Sequence, residues 1–287
     1  MTLARSVGWG AADILHSYYH GQSNGGDLEI QEKKDGPVTA ADCAANHYIL
    51  ERLQTSLGTQ DFGYLSEETY KSLSEQSPDS QRYQPWVWII DPLDGTRDFI
   101  DRTGEYAVHI ALVNQGRPVL AVVALPEAQK LYYAILGRGT FLETRQGVTK
   151  KMRVSQRDVI EELPLVVSRS HRDERFQQLL EQLPCQEKHY LGSVGIKIAA
   201  IIEQQADVYI SLSGKSAPKD WDFAAPELIL TEAGGQFTRF DGTPTLYNQN
   251  DINQWGGYMA SNGQCHQALC AKASAIMAQI DGDTSHI

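Results

Sequence analysis

The chain has 287 residues, 41% of them hydrophobic and 21% charged, with a formal net charge of −11 and a mean hydropathy of −0.37. That length buries a sizeable core, as one large domain or two moderate ones, and the acidic balance argues against nucleic acid, which needs a basic face. An anionic small substrate stays open, because bound divalent cations reverse an acidic site's field locally.

Met1–His20 has no continuous apolar segment, and no stretch nears the roughly 18 apolar residues of a span, so neither a secretory leader nor a membrane partner is expected. The four cysteines (Cys43, Cys185, Cys265 and Cys270) form no Cys-x-x-Cys pair and read as reduced thiols of a cytoplasmic protein.

Residues 3–20 have helical periodicity, with Leu3, Val7, Ala11, Ile14 and Tyr18 near one face. The Gly-rich residues 21–37, which include Lys33-Lys34, are expected as a loop. A helix follows from Ala40 to Leu57, with Thr39 a plausible N-cap and Asp42 in the first turn. Phe62–Leu65 reads as a short strand ending at Ser66-Glu67-Glu68, and residues 69–84 as a polar surface excursion.

Trp86–Ile90 reads as a buried strand. Tyr106–Val113, Val119–Leu125 and Leu131–Leu136 follow with short turns between them, which favours an antiparallel meander. A boundary near 155 divides an N-terminal α+β domain (1–155), carrying most candidate ligands, from a C-terminal α/β domain (156–287).

The second half alternates: strand Leu163–Ser168, helices Asp173–Leu183 and Val194–Glu203, strand Ala206–Leu212, helix Trp221–Ala233, strand Gly235–Arg239 and helix His266–Ile280. The expected fold class is a layered α+β/α/β sandwich, an antiparallel sheet with helices followed by a smaller α/β half.

The segment Asp91-Pro92-Leu93-Asp94-Gly95-Thr96 ends the buried run with two aspartates three residues apart. Asp91 can sit at the strand's end while the Pro92 turn brings Asp94 beside it. Paired carboxylates on short stems suit Mg²⁺, Gly95 permits close backbone approach, and a helix starting near Thr96 would offer free N–H groups to an anion. A polar Asp-Pro/Asp-Gly turn is the competing reading. The Asp-x-Asp loop of haloacid dehalogenase phosphatases is another, although two residues rather than one separate the aspartates here.

Glu67-Glu68 reads either as a solvated charged loop or as a site in which one of the two faces inward, since neighbours on a strand point oppositely. Asp220 and Asp222 read either as helix caps or as site carboxylates.

Together, Val-Thr-Ala-Ala-Asp (38–42), Ser-Glu-Glu (66–68), Asp-Pro-Leu-Asp-Gly-Thr-Arg-Asp-Phe (91–99) and Trp-Asp-Phe-Ala-Ala-Pro-Glu-Leu-Ile-Leu-Thr-Glu-Ala-Gly-Gly (221–235) resemble the inositol monophosphatase superfamily of metal-dependent, lithium-sensitive phosphatases. The resemblance spans nearly the whole chain and implies an αβαβα fold.

It also implies that Glu67, Asp91 and the Leu93 carbonyl hold one Mg²⁺, that Asp91, Asp94 and Asp222 hold a second, and that a looser third ion lies near Asp42 and Glu67. Gly95 and Thr96 would cradle the phosphate, and Asp42 with Thr96 would polarise the attacking water. Two ions roughly 3.5–4 Å apart neutralise attacking and leaving oxygens in such reactions, so no covalent phosphoenzyme is needed.

Val167-Ser168-Arg169-Ser170-His171 and Leu191-Gly192-Ser193-Val194-Gly195-Ile196-Lys197 resemble the 3′(2′),5′-bisphosphate nucleotidase branch, which removes the 3′-phosphate from adenosine 3′,5′-bisphosphate. That resemblance implies Ser170, His171, Gly192, Ser193 and Lys197 around the nucleotide. His171, Lys197 and Lys219 are candidate partners of the second phosphate, against a helix-cap neighbour for His171 and a surface lysine for Lys197.

An inositol or other sugar-phosphate phosphatase is the same-class alternative, and a non-catalytic nucleotide or phosphate sensor the alternative from another class. A monomer or a homodimer is expected. Ser66 replaces the family's glycine before the glutamates. Pro226 stands where the family's last motif has glycine, so the helix either begins later than drawn or kinks at 222–226.

Overall fold

The computed structural model describes residues 1–22, 31–33, 36–58, 61–72, 84–169 and 173–283. Helix α1 spans Thr2–Tyr19. Within the expected loop, strands β1 (Gln31–Lys33) and β2 (Gly36–Val38) form an antiparallel pair, a departure that composition alone hid. Helix α2 (Ala40–Leu57) starts where expected because Thr39 caps it: its Oγ1 accepts from the N–H groups of Ala41 and Asp42, and Asp42 accepts in return from Thr39 N.

Strand β3 (Phe62–Ser66) leads directly into the short helix α3 (Glu67–Ser72). The first part of the expected excursion is therefore helical, and the two glutamates open a helix rather than close a strand.

Strand β4 (Trp86–Asp94) is followed by α4 (Thr96–Ile100), then β5 (Ala107–Asn114), β6 (Arg117–Leu125), β7 (Lys130–Ile135), β8 (Gly139–Thr144) and β9 (Thr149–Lys151). Strands β3 to β9 lie side by side in chain order. β3 and β4 are parallel, and every later pair is antiparallel. The expected meander is present, and it continues through β8 and β9.

The second half contributes β10 (Leu165–Ser168), α5 (Glu174–Gln182), β11 (Lys188–Leu191), α6 (Val194–Ile202), β12 (Val208–Leu212), α7 (Asp220–Glu232), β13 (Gln236–Arg239), β14 (Gly257–Ser261) and α8 (His266–Asp283). Its sheet has the order β11-β10-β12-β14-β13. The first three strands are parallel and the last three antiparallel.

Three apolar layers hold the sandwich together. Val7, Ala11 and Leu15 of α1, with Ile49 and Leu53 of α2, cover one face of the large sheet through Ile90, Ile110 and Val122. Its other face, including Val87, Ile89 and Val123, packs on Ile198 of α6 and Ala225, Leu228 and Ile229 of α7, and these meet Val166 and Tyr209 of the second sheet. Leu179 of α5 and Ile276 of α8 close the far side against Leu165 and Ile210. The order is helix, sheet, helix, sheet, helix. Fully burying one such aliphatic side chain stabilises by about 1.5–3 kcal/mol.

Helix α7 begins at Asp220 and runs through Pro226. The later-start alternative therefore fails. Pro226 sits in the second turn, and because proline has no N–H, the Asp222 carbonyl lacks its usual partner four residues on.

Candidate metal centre

The two aspartates of β4 are brought together by a β-bulge. Asp91 pairs with His109 and Asp94 with Ala107, so three steps along β4 match two along β5. In a regular strand, residues three apart point to opposite faces; one extra residue restores the same face. The core confirms the switch of parity: Ile90 and Leu93 both face α1 and α2, whereas Ile89 faces α7. Asp91 and Asp94 thus point toward α7, where Asp222 at its third position completes a group whose ligand oxygens lie within 4.8 Å of one another.

Each carboxylate is fixed separately. Leu93 N donates to Asp91 Oδ1 at 3.0 Å across the Pro92 turn. Asp94 Oδ2 accepts from Val194 N at 2.6 Å and Gly195 N at 3.2 Å, so the positive end of α6 is spent on Asp94. Lys219 N donates to Asp222 Oδ2, closing the cap of α7. The neighbouring Asp220 is structural, since it accepts from Asn248 N and Gln254 Nε2, both at 2.6 Å.

The cluster is electrostatically strained without a cation. Burial, then Glu67, Asp94 and Asp222, hold Asp91 well above the usual carboxylate range. Burial and Asp94 push Asp222 up to about 7. Burial also raises Asp94, against Lys197 and the Gly195 and Val194 N–H groups. Glu67 is pushed up to about 7 by burial, opposed by Lys71 and reinforced by Asp222 and Glu68. Several buried carboxylates cannot all ionise side by side unless positive charge lies among them.

Three further participants were not named as site residues from the sequence. Lys71, one turn after Glu67 on α3, places Nζ 2.8 Å from Glu67 Oε1 and 3.6 Å from Glu68 Oε1. His109 Nε2 lies 3.3 Å from Asp94 Oδ2 and Nδ1 lies 3.3 Å from the Trp221 carbonyl. Burial pushes His109 down to about 3; a neutral ring has one N–H, so it can donate to only one of these two acceptors at a time. Arg169 spans Asp98 at 2.5 Å and Glu105 at 2.8 Å, and Glu105 Oε2 accepts from Gly192 N at 2.6 Å.

Beside the carboxylates, Thr96 Oγ1 lies 3.2 Å from both Asp42 Oδ1 and the Leu93 carbonyl. Burial pushes Asp42 up to about 7, although two hydrogen bonds from Thr39 lower it. Gly95 adopts φ +92°, and a Cβ there would lie 3.0 Å from the Glu105 carbonyl, so glycine is required on both counts.

Ser193 caps α6, accepting from Ile196 N at 3.0 Å, and Lys219 Nζ donates to the Ala217 carbonyl at 3.1 Å. Lys197 is 1% exposed and donates to the Gly192 carbonyl, so the surface-lysine alternative does not hold. Burial pushes it down to about 8 against Asp94, Asp98, Glu105 and Asp222. Ser170 and His171 lie outside the described residues, as does Lys34. None of the four cysteines is joined in a disulfide. Among the described residues, no helix is long and apolar enough to cross a membrane.

The inositol monophosphatase family profile matches residues 1–278. The chain is 38% identical over 252 residues to a Salmonella typhimurium protein named 3′(2′),5′-bisphosphate nucleotidase CysQ, covering 87% of this chain and 92% of that one. It superposes on the crystal structure of CysQ from Bacteroides thetaiotaomicron with a TM-score of 0.72 at 27% identity, covering 91% and 96% of the two chains. It likewise matches the extragenic suppressor protein SuhB of Bartonella henselae in fold, with a TM-score of 0.77 at 24% identity over 95% and 97%. The chain belongs to the inositol monophosphatase family.

Proposed function

We propose that the protein is a Mg²⁺-dependent 3′(2′),5′-bisphosphate nucleotidase that removes the 3′-phosphate of adenosine 3′,5′-bisphosphate. The observation that carries this reading is the buried Asp91, Asp94 and Asp222 cluster beside Glu67, in a chain 38% identical to a protein named for that activity. The donor set is all oxygen and dominated by carboxylate, which suits Mg²⁺.

In this reading Glu67, Asp91 and the Leu93 carbonyl would hold one ion, Asp91, Asp94 and Asp222 would hold a second, and a third would be held loosely near Asp42 and Glu67. Bound Mg²⁺ supplies the positive charge that a phosphomonoester and its departing oxygen require.

The chain's own groups do the rest. The Thr96 hydroxyl has one proton and two acceptors at 3.2 Å, so it donates to Asp42 or Leu93 and keeps a lone pair for a water's proton. Asp42, near 7, is poised to hold that proton at neutral pH. The left-handed Gly95 lets the backbone approach the phosphate closely. Gly192, Ser193 and Lys219 are assigned to the nucleotide side, with Ser170 and His171 assigned there by the motif resemblance alone, while Lys197 contributes its charge from within.

Steady-state kinetics test the substrate. The expected result is a higher kcat/KM on adenosine 3′,5′-bisphosphate than on inositol 1-phosphate; the reverse order would assign the chain to sugar phosphates. Asp91→Asn tests the metal mechanism, with a loss on the order of 10³-fold expected. Undiminished phosphate release in that variant would sink it.

A further inference from the structure

A second cluster of ligand-type side chains lies on elements that carry none of the catalytic carboxylates. His16 lies in the last turn of α1 and His20 is its C-cap, four residues on and so one turn further along the same side; their ring centroids are 4.3 Å apart. Glu127, in the turn between β6 and β7, faces both. Its Oε1 is 3.2 Å from His20 Nε2 and 3.9 Å from His16 Nε2, and one donor atom from each residue lies within 4.8 Å of the others.

These separations suit one ion. Tetrahedral zinc, with bonds of about 2.0–2.1 Å, places its donors about 3.3 Å apart. The side chains are 37%, 40% and 26% exposed for His16, His20 and Glu127, open enough to admit an ion and a completing water.

The site also has a support behind it. Tyr106, fully buried, donates its hydroxyl to Glu127 Oε1 at 3.0 Å and is itself wedged against Phe99 and Tyr19. A ligating carboxylate steered by a rigid neighbour is the arrangement that orders metal sites. Two imidazoles and one carboxylate also select differently from the oxygen-only cluster, because imidazole suits zinc, copper or nickel and not Mg²⁺.

We propose that His16, His20 and Glu127 form a Zn²⁺-class site, separate from the catalytic carboxylates, which ties the C-terminal end of α1 to the β6–β7 turn. Binding to the folded state alone raises stability.

The test is calorimetric titration of Zn²⁺ into the full chain with Mg²⁺ in large excess, paired with thermal unfolding. One equivalent of Zn²⁺ and a rise in Tm are expected for the wild type. Both are lost in the His16→Ala/His20→Ala double variant, whose Mg²⁺-dependent activity is unchanged, while Asp91→Asn keeps them. Co²⁺ in the wild type gives tetrahedral visible bands that the double variant lacks. No Zn²⁺ equivalent in the wild type, an unchanged equivalent in the double variant, or its loss in Asp91→Asn would each overturn the assignment.

Discussion

Thr96 Oγ1 lies 3.2 Å from Asp42 Oδ1, whereas the Thr39 backbone and hydroxyl donate to the other oxygen, Oδ2, at 2.7 and 2.6 Å. One carboxylate is thus shared between a helix cap and a candidate proton relay, with one oxygen for each.

The two threonines should separate these duties. Thr96→Ala lowers kcat by about 10²-fold and leaves Tm nearly unchanged. Thr39→Ala costs about 1 kcal/mol of stability through the lost cap. Because the Thr39 hydroxyl's hydrogen bond lowers Asp42, losing it raises Asp42 further even though the Thr39 N–H bond remains, and the acid limb of the pH–rate profile moves upward. A profile that stayed in place would remove Asp42 as the base.

Asp222→Asn should have opposite effects on the metal-free and metal-bound protein. Asp94 and Asp222 repel in the buried cluster, so neutralising one raises the Tm of the EDTA-treated protein by about 2–4 °C, the shift that goes with about 1 kcal/mol in a chain of this size. The same change abolishes the Tm gain that Mg²⁺ gives the wild type. Thermal scans with and without Mg²⁺ read both; a metal-free variant less stable than wild type would contradict the repulsion.

Lys71 is a tethered cation within reach of Glu67 and Glu68. Burial works against its charge, yet Glu67, Glu68 and Asp91 hold its pKa above the ordinary lysine value. Lys71→Met should therefore lower the stability of the metal-free protein. It should also tighten Mg²⁺ by about tenfold, or about 1.4 kcal/mol, because a competing positive charge is gone. Calorimetric titration of Mg²⁺ checks this, and unchanged affinity would separate Lys71 from the metal centre.

His266 sets an acid limit on stability. It is buried, with Ser261 Oγ at 2.8 Å from Nδ1 and Thr238 Oγ1 at 2.8 Å from Nε2. Burial pushes it from 6.5 down to about 4. The unfolded chain then binds a proton that the folded chain refuses, so stability falls as pH drops from 6.5 toward about 4 and is fully present above that window. In His266→Gln the urea midpoint should lose part of this slope; an identical slope would place the acid sensitivity elsewhere.

Six of the helices were legible because each carries sustained periodicity, and in α2 the cap is also written in the sequence as Thr39 three residues before Asp42. The meander was legible from its short turns. What escaped notice depends on partners distant in the chain. β14 is a five-residue strand whose place comes from β12 and β13 on either side, and β11 is an edge strand recruited by β10.

The ligand motif named Asp91, Asp94 and Asp222, but not Lys71, His109 or Arg169. His109 and Arg169 act through contacts between elements distant in the chain, whereas Lys71 meets Glu67 within α3, a pairing visible only once residues 67–72 are known to be helical. Pro226 was the informative misfit, since α7 starts at Asp220 and runs on through the proline where a later start was one of the two outcomes local rules allowed, the other being a kink at 222–226.

The bonds from Val194 and Gly195 to Asp94 cross 100 and 101 positions of chain. A nascent chain that has emerged only through β9 already contains the whole Asp91–Thr96 segment, but it lacks both the α6 N–H donors that fix the Asp94 carboxylate and the Asp222 ligand. Hydrolytic competence therefore arrives late in synthesis, as a property of the assembled layers, and a half-made chain is kept from spending itself on phosphate esters.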